Sequence, residues 1–402
     1  MVEYRAWKGG DCLHNLGQKF KYFMQKVLKG DMVLLVMCLA ISAFSCLVLS
    51  SVTNAEKFGG SMRYIVIQMG ATVLGVIFYA IMSSIDLESF SEHRRWLVIS
   101  NLLLILLLIP FGTDNNTGNR SWIPVPVIGI HIQPAEICKI LYILITASVM
   151  NSHQNRISNY RSIIHIGIHL LLVAGLYWGI SGDLGVTLIF VFVLLGMAIG
   201  SGISLPWFIG IGVLASFVLP LFWKYGMDTY QKNRILALFD PTIDPQGIGV
   251  RYHAKLSLQS LTGGGLTGQG LFNGNRTQAG IMPAQQTDFI FSAIGEELGY
   301  VGCIVVIIVL FALVARCIWV GLRSKDYMRR LVCIGVASAL IFQICINIGM
   351  CIGVVPVIGL TLPLISYGGS SVVTIYAMLG LVSGVYARPA AKSHERYIQP
   401  PR

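Results

Sequence analysis

The sequence predicts an all-α polytopic membrane protein of about ten transmembrane helices with a large outer loop between spans seven and eight, and three observations carry that prediction. Of the 402 residues, 55% are hydrophobic and only 12% are charged, with a mean hydropathy of +0.71. A water-soluble core of this length does not absorb that balance. Apolar stretches of about 17 to 25 residues, the length that crosses ~30 Å of hydrocarbon, recur along the chain. The basic residues between them concentrate on alternate loops, as orientation in a membrane requires.

Taken in order, the apolar stretches lie near 31–52, 64–85, 96–111, 134–150, 163–180, 184–200, 205–223, 300–321, 331–354 and 371–387. Residues 1–30 form a mostly polar tail with Arg5, Lys8, Lys19, Lys21, Lys26 and Lys29. No small-residue cleavage site follows the first apolar run, the pattern of an uncleaved signal anchor whose N-terminus stays in the cytoplasm. With ten alternating spans, 19 of the 29 Lys and Arg fall on the cytoplasmic side and nine on the other, with Lys139 inside a span. This split agrees with ten spans and makes 388–402 a second cytoplasmic tail, leaving 31–387 as one transmembrane domain. The net charge of +11 is therefore a topology signal; without an aromatic-interleaved soluble module it does not point to nucleic acid. The nine cysteines lie mostly inside spans and contain no CxxC pair, so neither a disulfide framework nor a metal knot is implied.

Two segments on the outer side are long, 112–133 and 224–299, and long loops in a compact protein are functional candidates. In the second, DTYQKNRILALF (228–239) has apolar residues at helical spacing suited to the membrane interface. DPTIDPQG (240–247) is a turn cluster, and YHAKLSLQSLTGGGLTGQGLFNG (252–274) reads as a short helix giving way to glycines. GGGLTGQGL (263–271) lacks the GxxxxGK[ST] ending, so it fails as a phosphate-binding P-loop.

Polar residues in or beside spans are expensive and mark function. Arg120, Trp122, Gln133, Glu136 and Lys139 surround the start of span four, and Asp183 opens span six. Asp288, Glu296 and Glu297 precede span eight, and SYGGSS (366–371) precedes span ten. All fall at the outer ends, whereas a transporter with a midplane site places charges or broken helices nearer the bilayer centre. Glu136 and Lys139 share a helical face, with Lys139 one to two turns below the surface, and serve either as a structural ion pair or as a cation held for a phosphate group. Arg120 and Trp122 read either as an interface anchor or as site residues. Asp183 is as suited to capping its helix or pairing with a neighbouring cation as to reacting. Asp288, with Phe289 and Phe291 beside it, is either a helix cap or a base whose pKa apolar surroundings raise. No HExxH or GxSxG motif competes with it.

In this order the strings resemble the SEDS family of bacterial shape, elongation, division and sporulation proteins, the RodA-like and FtsW-like chains, over nearly everything after the N-terminal tail. GNRSWIPVPVIGIHIQPAEICKI (118–140) is similar to the family's Trp-containing loop and QPSE…K helix, with Ala135 in the usual Ser position. GDLG (182–185) is similar to its PDLG element, and YQKNRI (230–235) and DPTIDPQG to the start of its large outer loop. TDFIFSAIGEELG (287–299) resembles the segment holding its essential aspartate, and NIGMCIGVVPVIGLTLPLISYGGSS (347–371) its last outer loop.

What the resemblance implies is a peptidoglycan glycosyltransferase that polymerises lipid II at the outer face of the plasma membrane. Asp288 would deprotonate the acceptor hydroxyl, which displaces undecaprenyl pyrophosphate from the donor sugar with inversion. Arg120 and Lys139 are the candidates for pyrophosphate contact and Trp122 for shaping the groove; Gln133, Glu136, Asp183, Thr287, Ser366 and Ser370 complete the implied binding set. The implied partners are a class B penicillin-binding protein acting as transpeptidase, other elongation or division complex proteins, and membrane lipids. A divalent cation, Mg or Mn, suits the pyrophosphate, although no metal-ligand cluster is visible. Where the family commonly has Pro-Glu-x-His, this chain has Pro283, Ala284, Gln285 and Gln286, which leaves Asp288 as the only nearby base. The competing functions are a flippase or carrier for the lipid-linked precursor, which would place charged or helix-breaking residues mid-span, and a non-catalytic scaffold.

Overall fold

The computed structural model describes residues 29–114, 119–125, 130–244, 249 and 251–388. Most of both tails, part of the 118–140 string and the end of DPTIDPQG lie outside the described residues. Among the described residues, ten helices are long and apolar enough to cross a membrane: Met32–Asn54, Arg63–Ser84, Arg94–Phe111, Pro134–Ser152, Tyr160–Ser181, Leu184–Ser201, Leu205–Gly226, Ile290–Arg323, Tyr327–Cys351 and Gly369–Ala387. They are spans one to ten, and they make this a multi-span membrane protein.

Local chemistry explains where the helices depart from regularity. Span three is interrupted at Leu107, where Pro110 supplies no N–H to the preceding turn. Span five contains a π-helical turn at Leu171–Gly175, and span seven ends in another at Phe222–Gly226, just after Pro220. Span eight begins ten residues before the apolar stretch at 300–321, because the helix Ile290–Arg323 runs through a break at Gly299 (φ 69°, ψ −172°). The break frees the carbonyls of Glu296 and Glu297 and the N–H groups of Tyr300 and Val301 from their helical partners. The glycine-rich loop takes all four: Gln269 N and Gly270 N donate to Glu296 O and Glu297 O, while Gly265 O and Leu266 O accept from Tyr300 N and Val301 N. A Cβ at 299 would collide with Gly268 N and Leu266 O, so close backbone approach requires glycine there. The glycines of 263–271 are a backbone clasp on a broken helix.

Among the described residues the all-α architecture has one exception. β1 (Ile123–Val125) and β2 (Ile130–Ile132) form an antiparallel hairpin before span four, with Ile123 opposite Ile132. These strands are too short to leave an alternating signal in the sequence.

Packing is tightest between spans two and ten. Gly380 and Gly384, four apart on span ten, let the helices meet backbone to backbone: a Cβ would lie 2.5 Å from Tyr79 O at 380 and 2.9 Å from Ser83 O at 384. At the end opposite the large loop, buried Asp31 joins four spans. It accepts from Leu34 N, receives Arg316 Nε at 2.8 Å, bonds Ser383 Oγ through its N–H and accepts Tyr79 OH on its carbonyl. Span seven buries none of its residues. Gly380→Leu is expected to cost 1–3 kcal/mol or more by overpacking, seen as a lower unfolding temperature in detergent. Gly70→Leu, with nothing within 4 Å of the added Cβ, should leave that temperature unchanged.

Candidate active site

The segments joining spans three to four, seven to eight and nine to ten meet at one end of the bundle. Asp288 is set there by a tight turn: Ala284, at φ 50°, accepts on its carbonyl from the N–H groups of Thr287, Asp288 and Phe289. Phe289 is then buried, and its ring lies nearly parallel to that of His253, 6.0 Å away between centroids. The N-cap of span eight is Phe289, with no side-chain capping bond. Asp288 is thus not a cap, and its half-buried carboxylate is left to other work. Burial pushes its pKa up to about 6; the Thr287 hydroxyl opposes this and the Asp183 charge adds to it. Among the described residues no basic side chain pairs with it.

Three consecutive carbonyls around Asp288 are held from outside its own segment. Gln286 O accepts from Tyr367 N at 2.9 Å, Thr287 O from Ser366 Oγ at 2.6 Å and Asp288 O from Asn347 Nδ2 at 2.8 Å. Ser366, which is buried, also accepts from Leu362 N. Ser366 and Thr287 therefore fasten the two loops together, and Ser370 stands half-buried in the first turn of span ten.

A second cluster surrounds Asp183. Its Oδ1 caps span six by accepting from Val186 N, and its Oδ2 accepts from Ser121 Oγ at 3.2 Å and Gln133 Nε2 at 3.5 Å. Burial raises its pKa despite these donors. The Arg120 N–H donates to Ser181 O while its side chain is exposed. Half-buried Trp122 exchanges main-chain hydrogen bonds with Thr113. One turn further in, Lys139 Nζ lies 2.9 Å from Glu136 Oε2, the two side chains 1% and 6% exposed. The two clusters share the loop at 358–360: Gly185 packs against Ile358 O and Leu360, and a Cβ at Gly359 would lie 3.7 Å from Asp288 Oδ2.

Glu296 and Glu297 are buried anchors. Glu296 accepts from Arg276 N, Thr277 N and Thr277 Oγ1, and Glu297 from Ser51 Oγ and Gln278 Nε2. Sequence reasoning missed Ser121, Asn347, His253 and, as an individual, Arg234, whose Nη1 donates to Val357 O at 3.0 Å. No local pattern marks a contact made 123 residues away. Burial, followed by the Arg234 charge, lowers the pKa of His253. Among the described residues no group of three or more His, Cys, Asp or Glu stands ready for a metal ion. Asp183 and Glu136 are already engaged, the first by Ser121 and Gln133 and the second by Lys139.

Ten helices long and apolar enough to span a membrane, among the described residues, define a polytopic membrane protein. The profile of the FtsW, RodA and SpoVE family, described as "Cell cycle protein", matches residues 30–389, and the chain belongs to that family. It is 31% identical over 370 residues to "Peptidoglycan glycosyltransferase MrdB" of Escherichia coli K12, covering 91% of this chain and 95% of that one. It is 32% identical over 383 residues to "Probable peptidoglycan glycosyltransferase FtsW" of Thiomicrospira cyclica, with 91% and 94% covered. Among solved structures, a chain from work on the coordination of polymerization and crosslinking by a peptidoglycan synthase complex aligns with a TM-score of 0.75 and 28% identity, covering 89% of this chain and 97% of that chain. Rod shape determining protein RodA of Thermus thermophilus shares the fold, with a TM-score of 0.66, 24% identity and 90% and 98% covered.

Proposed function

We propose that the chain polymerises lipid II into glycan strands at the outer face of the bacterial plasma membrane, with Asp288 as general base. The observation that carries this reading is the uncapped, unpaired Asp288 carboxylate at the meeting point of the loops, and the names of the relatives support it. Asp288 takes the proton of the acceptor sugar hydroxyl as that oxygen bonds to the donor's anomeric carbon; the bond from that carbon to the pyrophosphate oxygen breaks and undecaprenyl pyrophosphate leaves, inverting the centre. The exposed Arg120 side chain suits contact with the pyrophosphate, and Trp122 beside it suits the wall of the groove. Gln133 and Asp183 brace that wall, Thr287, Ser366 and Ser370 line the opposite side, and Lys139 with Glu136 supports it from beneath. The 19-to-9 charge split supports cytoplasmic termini and an outward large loop.

A single-span class B penicillin-binding protein is the proposed transpeptidase partner, since the chain carries no SxxK nucleophile motif and a structural relative comes from a synthase complex. The deciding experiment is polymerisation of purified lipid II by the detergent-solubilised protein, with and without that partner. Transfer of lipid II across vesicle membranes with no glycan formed would favour the carrier instead. Because the base works deprotonated and its pKa is raised to about 6, kcat/KM should fall as pH drops through about 6. A profile flat from pH 5 to 8 would remove Asp288 from the role.

A further inference from the structure

Asn347 lies in span nine, is fully buried, and forms its hydrogen bonds with main-chain carbonyls of the site. Its Nδ2 donates twice, to Asp288 O at 2.8 Å and to Leu360 O at 2.7 Å. Both hydrogens of one amide are thus spent joining the carboxylate-bearing segment to the loop that lies over it. That loop is held again at Val357 O by Arg234, and between the two attachments a Cβ at Gly359 would lie 3.7 Å from Asp288 Oδ2. Cys351, one turn along span nine, adds a weaker Sγ contact to the same Asp288 carbonyl.

We infer that Asn347 is a positioning residue for the polymerisation reaction, fixing the distance between Asp288 and the 357–360 loop so that the carboxylate meets the acceptor hydroxyl; the assignment rests on the polymerase function proposed above. The physical case is one of satisfaction and spacing. Two buried carbonyls that converge repel one another unless a donor stands between them, and a primary amide supplies two N–H groups from one fixed nitrogen. A rigid element such as span nine holds that nitrogen better than a loop does. A displacement of about 1 Å in a catalytic group costs on the order of 10²-fold in rate, so the amide's leverage falls on kcat.

The test is Asn347→Leu, close in size but without donors, in the full-length protein. Gln343→Leu, one turn away on the same helix and also buried, is the control for a merely destabilised span nine. Asn347→Leu should lower kcat by about 10- to 100-fold with KM for lipid II within about twofold. It should also move the acid limb of the rate profile to lower pH, because a released Asp288 gains water. Among the described residues, Asp183 acts on Asp288, Cys351 of span nine contacts its carbonyl, and His253 of the large loop, which feels Arg234, stacks on neighbouring Phe289; all remain in the variant. Loss of folded protein alone does not move that limb, and Gln343→Leu should leave it in place. Labelling of Asp288 by a water-soluble carbodiimide across pH, read by mass spectrometry, follows the same displacement without turnover. An Asn347→Leu protein whose acid limb and labelling curve overlay those of wild type would overturn the assignment. Wild-type protein that makes no glycan would sink the polymerase reading, while the labelling curves still decide what Asn347 holds.

Discussion

Asp288→Asn is expected to stop glycan formation, lowering the rate by ~10²- to 10⁴-fold, while the unfolding temperature in detergent holds or rises. The substitution keeps the size and a polar side chain and removes the base. Stability is spared because span eight is capped at Phe289 without a side-chain bond, so no capping interaction is lost. The sign of the linkage points the same way. A carboxyl whose folded-state pKa is raised to about 6 is less stable ionised in the folded protein than in the unfolded chain. Its charge therefore opposes folding above that pH, and an uncharged isostere relieves the opposition. Asp183→Asn is the control: Asp183 caps span six and asparagine caps a helix about as well, so the protein should stay folded and keep more activity than Asp288→Asn. Glu296→Gln, which alters only an anchor of the large loop, should likewise retain more activity. Near wild-type polymerisation by Asp288→Asn would end the base mechanism.

Lys139→Met is expected to destabilise the protein by ~3–5 kcal/mol, since it leaves Glu136 buried without its ion-pair partner. Both side chains lie in the first two turns of span four, 2.9 Å apart and almost fully enclosed. Coupling with Glu136→Gln separates the two roles open to Lys139. If the pair is structural, the double variant, with no charge left buried, recovers most of the unfolding temperature and most of the polymerase rate. If the ammonium also serves the pyrophosphate, stability returns and the rate does not, with the loss falling on kcat/KM for lipid II. Thermal unfolding and initial rates on the same preparations distinguish these results. A Lys139→Met protein as stable as wild type would show that the pair carries none of the energy assigned to it.

The pattern along the chain determined the ten spans, because burying about twenty apolar residues in lipid is a local requirement written into each stretch. The start of span eight was not legible there: the apolar stretch begins at 300, just after the break at Gly299, whereas the helix starts at Ile290. The polar positions were legible as a set, since charges near a membrane are costly and stand out, and resemblance singled out Asp288 among them. What each carboxylate does was decided only by tertiary structure. Asp183, Asp288 and Glu296 look alike in sequence, each beside a helix at one end of the bundle. One caps a helix and gathers Ser121 and Gln133, one ties down a loop through three donors, and one is left uncommitted. The donors that settle these roles arrive from distant segments, as Asn347 reaches Asp288 across 59 residues and Ser366 reaches Thr287 across 79. Hydrophobic spacing is a property of neighbours along the chain, whereas the satisfaction of a buried polar atom depends on whichever helix packing brings beside it.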